Sequence, residues 1–327
     1  MKFRTELIPA KPSFVLNPER AVVLLGSCFT DNIGRMMRCS RWRAFPNVCG
    51  TLFNPASIAN ILRIALYDQN IYSTIRRSVA ERDNRYVSWL TDSCATTYSK
   101  AETEERVFSR FLRLMTYLSE AETLIITFGT AWVYELCERP GYIVSNCHKF
   151  PAEMFMRRRL TLKEITEEWN ILLERLRQIY PKLKVIFTVS PVRHLKDGFE
   201  GNSCSKAILQ LACEEICTAN DQAVYFPAFE IMNDDLRDYR FYAEDLVHPS
   251  EEGIEYIWEK FKATFLTEAS RQLLKEGEKV SKRLNHRPIV YGESDLARYV
   301  ASTEESKAME FYNKFMKSHP SMLPLDE

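Results

Sequence analysis

The sequence predicts an α/β fold built on a parallel sheet with helices on both faces. Three observations carry this expectation. Short apolar runs stand at 21–25 (AVVLL), 123–128 (TLIITF), 184–189 (KVIFTV) and 223–226 (AVYF), and strands buried on both faces read as such runs rather than as alternations. Amphipathic helical stretches separate them, the alternation expected of a parallel sheet. With 327 residues and 46% hydrophobic content, the chain is long enough to bury a sizeable core.

Taken in order, the run at 21–25 is stopped by Gly26 and followed by helical spacing over about 29–38. Asn54 before Pro55 places an N-cap ahead of a proline at the first helical position, opening a helix to about Tyr67. YVSWL at 86–90 suggests a strand of an inserted hairpin, and a helix follows over about 102–118. Residues 130–150 read as a loop rich in aromatic and polar groups. Ile165, Trp169, Leu172, Leu173, Leu176 and Ile179 form the apolar stripe of a helix over 162–180, ended by Pro181. Further helices are expected at 203–219 and, with Ser250 as N-cap, from 251 to about 275. From 277 onward the strand pattern stops and HRP stands at 286–288. The expected division is therefore a main domain at 1–276 and a C-terminal helical extension at 277–327.

Composition narrows the function. Lys+Arg and Asp+Glu both number 44, so there is no cationic excess to neutralise phosphates and no nucleic-acid partner is expected. The run Arg157-Arg158-Arg159 reads as a solvated helix edge. With only 10 glycines, neither a GxxxxGK[ST] nor a GxGxxG loop occurs, and no cofactor is expected. The nine cysteines include no CxxC pair, which speaks against zinc knuckles and dithiol redox chemistry; Cys213 and Cys217 read as helix filler. No apolar leader or 18-residue apolar span is present, so no membrane partner and a reduced, cytoplasmic location are expected.

Ligands of open parallel sheets sit beyond the carboxyl ends of the strands, and the polar clusters fall there: GSCFT at 26–30, GTAW at 129–132, SPVRH at 190–194 and YRFYAEDLVHP at 239–249. Nucleophilic catalysis needs a thiol or hydroxyl beside a base that a carboxylate orients. Asp245 and His248, three residues apart before a helix, suit the last two roles. The same pair also suits a capped loop carrying a surface histidine.

Beyond these clusters, LLGSCFTDNIG at 24–34 resembles the signature of the GSCFA family. TFGTAWVYE, NCHKFP, TVSPVRHLKDG, SKAIL and DYRFYAEDLVHPSEEGIEYIWEKF resemble its further stretches in order, over roughly residues 1–265, with HRP in addition. The family is similar to the SGNH/GDSL hydrolases. The resemblance implies a flavodoxin-like three-layer α/β/α sandwich and a Gly-Asp-Ser block at the first strand end. In register, Gly26 matches the glycine, Ser27 the aspartate and Cys28 the nucleophilic serine. Either Cys28 or Ser27 is then the nucleophile, and a helix N-terminus at Cys28 would favour its thiolate.

The closing Asp-x-x-His block is matched by Asp245 and His248. For the oxyanion site the resemblance implies Gly50, equally readable as a turn residue, and Gly129. Ala131 stands where the oxyanion asparagine should be; Asn146 or His148 could replace the missing donor, and His148 reads equally as a loop histidine satisfied by backbone carbonyls. Arg193 and His194 would bind an anionic substrate group or a carboxylate partner. The function implied is an SGNH-like acyl-ester hydrolase or acyltransferase acting on a small-molecule or glycan acyl substrate. The alternative is a non-catalytic glycan- or small-molecule-binding protein on a degenerate scaffold of this kind.

Overall fold

The computed structural model describes residues 4–286 and 295–325. In chain order the elements are β1 (Ala21–Gly26), α1 (Cys28–Cys39), β2 (Ala44–Pro46), α2 (Pro55–Tyr67), α3 (Ile71–Ser78), β3 (Val79–Arg82), β4 (Arg85–Ser88), α4 (Lys100–Glu120) and β5 (Ala121–Phe128). There follow β6 (Trp132–Leu136), β7 (Phe155–Arg159), α5 (Leu162–Ile179), β8 (Lys184–Val189), α6 (Gly198–Ala219) and β9 (Ala223–Tyr225). The last are α7 (Ala228–Glu230), α8 (Glu251–Phe265), α9 (Glu268–Asn285) and α10 (Asp295–Ser318).

Five strands form one parallel sheet in the order β2-β1-β5-β8-β9. Counting only those strands, the order is 2-1-3-4-5, the flavodoxin-like arrangement, whose switch point lies between the first and third. Here that is the gap between the carboxyl ends of β1 and β5. Leu24, Ile125 and Ile186 are in register and pack toward α1, α8 and α9 with Phe29, Met37, Trp258 and Leu274. Their neighbours Leu25, Ile126 and Phe187 face the other way, onto Ile58, Phe111, Trp169 and Leu209. A period of two that is apolar on both faces therefore gives three layers, as the sequence predicts.

Local signals behave as expected in several places. Asn54 Oδ1 accepts the Ser57 N–H at the start of α2, and the expected hairpin strand at 86–90 is β4, paired antiparallel with β3. Asp83 and Asn84 turn that hairpin with φ of +50° and +59°, as a type I′ turn requires.

Other readings are corrected. The basic run at 157–159 is no helix edge: it lies in β7, paired with β6 inside the region expected to be loop. Arg157 and Arg159 are exposed there, while Arg158 pairs with Glu135 and Glu164. The single helix expected from 251 to about 275 is two, because the chain breaks at Leu266 and Thr267 caps α9 by accepting the Ser270 N–H.

The C-terminal residues are helical, but the expected boundary at 276/277 falls within α9. Leu274, Val280, Tyr312 and Phe315 share one core with Trp258 and Leu24, so residues on both sides of 277 are packed together. Of the HRP stretch, Arg287 and Pro288 lie outside the described residues.

Gly26 sets the sharp exit from β1. Its φ is +149°, and a Cβ there would stand 2.3 Å from the Thr127 carbonyl oxygen on β5. Gly26→Ala is therefore expected to destabilise the fold by about 3 kcal/mol or more, measured by urea denaturation; a loss near zero would contradict this close approach.

Candidate active site

At the switch point the chain leaves β1 under tight restraint. The Gly26 N–H donates to the buried Asn47 Oδ1 at 2.9 Å and the Ser27 N–H to the Thr127 carbonyl at 3.2 Å. Ser27 is fully buried and its Oγ meets no partner. Cys28, the first residue of α1, is half-buried. Its thiol pKa is raised, by burial first and by the Asp31 carboxylate second, while the N–H groups of Phe29 and Cys28 and the Lys206 ammonium act against the rise. The expected preference for thiolate is thus overturned. The helix terminus does act, but desolvation and the acid one turn further along outweigh it.

The Asp245–His248 pair forms. Asp245 Oδ2 stands 2.6 Å from His248 Nδ1, and Asp245 Oδ1 accepts the N–H groups of Val247 and His248, both at 2.9 Å. The backbone bond from His248, then that from Val247, hold the Asp245 carboxyl down at about 2. With Nδ1 engaged, Nε2 is the ring nitrogen left to face a reacting group. The Arg193 N–H donates to the Val247 carbonyl at 3.4 Å, tying this loop to the end of β8. The Arg193 guanidinium donates to Asn233 Oδ1 at 2.8 Å, so its partner is an amide rather than the carboxylate considered above. Arg193 and Asp245 line one groove of about 490 Å³.

The residues expected to supply oxyanion donors are placed differently. The Gly129 and Thr130 N–H groups both donate to the Phe53 carbonyl, at 2.8 and 2.9 Å, and the Ala131 N–H donates to Ser205 Oγ at 2.7 Å. Gly50 is a turn residue: its φ is +91°, a Cβ would meet Asp92 Oδ1 at 2.4 Å, and its N–H donates to the Asn47 carbonyl at 2.7 Å. Of the two readings of His148, the structure shows the loop histidine satisfied by a backbone carbonyl. Its ring Nε2 bonds the Ser88 carbonyl at 2.8 Å, and its pKa is lowered chiefly by burial. Asn146 does reach a cleft of about 320 Å³, which Phe53, Thr130, Trp132 and His194 also line. Arg157 enters it too, lying over the Trp132 ring at 4.3 Å and paired with Asp197.

Lys206 escaped the sequence reading. Fully buried, its Nζ donates to the carbonyls of Gly129 at 2.6 Å and Ser190 at 2.7 Å. Burial pushes its pKa down to about 7, with the Cys28 thiolate acting to raise it and Arg193 to lower it. A signal existed: a lysine sits in register with buried Asn202, Leu209 and Cys213 on the inward stripe of α6. His194 is lowered to about 4, by burial first, then by the charges of Lys206 and His248. Charge interactions thus run pairwise from Cys28 to Lys206, from Lys206 to His194 and from His194 to His248. Among the described residues no cluster of three His, Cys, Asp or Glu side chains could hold a metal ion, and no helix is long and apolar enough to cross a membrane.

The model of the GSCFA family matches residues 21–261. No curated protein matches the chain. Among solved structures, similar chains include a candidate platelet activating factor from Streptococcus pneumonia, with 9% identity, TM-score 0.38, and 75% of this chain and 84% of that one covered. A carbohydrate esterase of family 3 from Talaromyces cellulolyticus has 12% identity and TM-score 0.32, with 79% and 99% covered. The S10A mutant of an acetyl esterase, with acetate ion, has 13% identity and TM-score 0.31, with the same shares covered. Likenesses at this level carry no chemistry across.

The lowered His194 pKa has a consequence for stability. Between about 4 and the ordinary 6.5, the unfolded chain binds a proton that the folded one refuses. This contribution to stability is complete above pH 6.5 and is lost as the pH falls toward 4, by at most about 1.4 kcal/mol per pH unit. Denaturant midpoints measured across that window are expected to fall on acidification, and His194→Gln should flatten the fall. An unchanged slope in the variant would show that the ring titrates normally.

Proposed function

The chain belongs to the GSCFA family, and from that premise we propose an SGNH-like acyl-ester hydrolase or acyltransferase in which Cys28 is the nucleophile, His248 the general base and Asp245 its orienting carboxylate. The observation that carries this reading is the Asp245–His248 pair, joined at 2.6 Å in a loop tied to Arg193 beyond the end of β8, while the half-buried Cys28 thiol opens α1 beyond the end of β1. Ser27 is the weaker nucleophile on this reading, since its hydroxyl is fully buried.

The raised thiol pKa requires that the thiol arrive protonated. His248 Nε2 takes its proton as Sγ adds to the acyl carbonyl, and Asp245 stabilises the imidazolium that forms. Collapse of the tetrahedral intermediate breaks the ester C–O bond. The leaving alcohol receives the proton from His248, and an acyl thioester remains on Cys28. Water, or an acceptor alcohol, then gives its proton to His248 and attacks the thioester. Expulsion of the thiol, reprotonated by His248, releases a carboxylic acid or a new ester. The fitting substrate class is an acylated glycan or small molecule, its acyl end at Cys28.

One set of observations favours the non-catalytic alternative: the N–H groups of Gly50, Gly129, Thr130 and Ala131 are all engaged within the protein. Turnover separates the two readings. Short-chain p-nitrophenyl esters and thioesters are expected to be cleaved, Cys28→Ala to abolish cleavage, and His248→Ala to reduce kcat by about a thousandfold. Asp245→Asn should cost less than His248→Ala. Wild-type cleavage that survives Cys28→Ala would contradict the nucleophile, and no cleavage of any ester would favour the binding role.

A further inference from the structure

We infer that His194 supplies the oxyanion hydrogen bond that Ala131 cannot, its Nε2–H pointing at the acyl oxygen of a substrate seated against the 26–28 turn. The inference rests on the acyl-transfer reading above and names a residue that reading leaves unassigned. Acyl transfer needs donors aimed at the oxygen that becomes negative, and losing one costs about 3 kcal/mol of transition-state stabilisation. In this chain the backbone donors nearest the lost asparagine are taken: Gly129 and Thr130 by the Phe53 carbonyl, Ala131 by Ser205 Oγ, Trp132 by Thr130 Oγ1. The Cys28 and Phe29 N–H groups remain on the sulfur side, at the start of α1.

His194 enters from β8 on the far side of that loop. Its Nε2 is buried and has no hydrogen-bond partner, a state that costs free energy unless a ligand relieves it. The point where a Gly129 side chain would begin lies 3.2 Å from Ser27 Cβ and 3.5 Å from His194 Nε2. The ring therefore stands over the switch point, beside the turn that carries Cys28, and it lines the cleft entered by Asn146 and Trp132.

Its orientation is set in advance. The His194 backbone N–H donates to Asn202 Oδ1 at 3.0 Å, which fixes the chain there, and the ring meets Phe53 edge to face at 5.8 Å and 86°. Burial first, then the Lys206 ammonium, push the imidazole pKa down to about 4, so the ring is neutral at pH 7. It can then donate an N–H without competing with His248 for the thiol proton. A glutamine at this position can donate but cannot act as a base, which separates the donor role from a second-base role.

The test uses the full-length protein and two readouts. On p-nitrophenyl acetate, His194→Ala is expected to lower kcat about a hundredfold with KM changed less than about threefold, while His194→Gln stays within about tenfold of wild type. Full activity in His194→Ala overturns the inference. So does a His194→Gln variant as impaired as His194→Ala, which would make the ring a base. The second readout needs no turnover: acetate is titrated into Cys28→Ala protein while the His194 ring signals are followed by NMR. Saturable movement of the Nε2 signal, assigned to His194 by its disappearance in His194→Ala, supports the donor site even if every ester proves inert and the acyl-transfer reading falls. No movement in a protein whose wild type is also inert overturns both.

Discussion

The Lys206 ammonium, buried from solvent, donates to the carbonyl oxygens of Gly129 and Ser190. Parallel strands leave carbonyls projecting from their carboxyl ends, and β5 and β8 end side by side. A cation between them satisfies both acceptors and holds the two loops at one spacing. Ser205, the residue before it, accepts the Ala131 N–H, so one turn of α6 braces the whole loop after β5. The position of Gly129 against Ser27, and of His194 against Gly129, depends on that brace. Burial of a charge is costly, and the cost shows in the ammonium pKa, pushed down to about 7.

The same compactness decides the chemistry at Cys28. An exposed thiol at a helix N-terminus would ionise readily. Here burial and Asp31 outweigh the two first-turn N–H groups and Lys206, so the resting Cys28 side chain is a thiol. On the proposed mechanism the work of ionisation then falls to His248, with Asp245 orienting it through their 2.6 Å contact. On the proposed reading, a protonated Cys28 also suits a site that awaits an acyl donor without alkylation or oxidation, because the thiolate is the reactive form.

The sheet was legible in the sequence because its strands are buried on both faces. Runs such as TLIITF at 123–128 need no partner to be recognised. The Asp245–His248 pair was legible because three residues of a tight loop bring both groups together locally. The basic run at 157–159 misled because charge without periodicity does not distinguish a helix edge from an edge strand; only its pairing with β6 does. The partners of Gly50, Gly129 and His148 were hidden for a related reason. Whether the N–H of Gly50 or Gly129 is free depends on carbonyls at Asn47 and Phe53, and the ring of His148 turns on the carbonyl of Ser88. Such partners are set by packing. Lys206 was legible in principle, as a lone charge on the inward stripe of α6, but its two carbonyl partners come from the ends of different strands.

The central claim is that Cys28 carries the acyl group and that His248 sets the rate at which it arrives. Incubation with p-nitrophenyl acetate, acid quenching and peptide mass spectrometry test it directly. The account predicts one acetyl group, on the peptide holding Cys28, labile to hydroxylamine as a thioester is, formed much more slowly in His248→Ala. An acetyl group on Ser27, or labelling of Cys28 at an equal rate in His248→Ala, would contradict it.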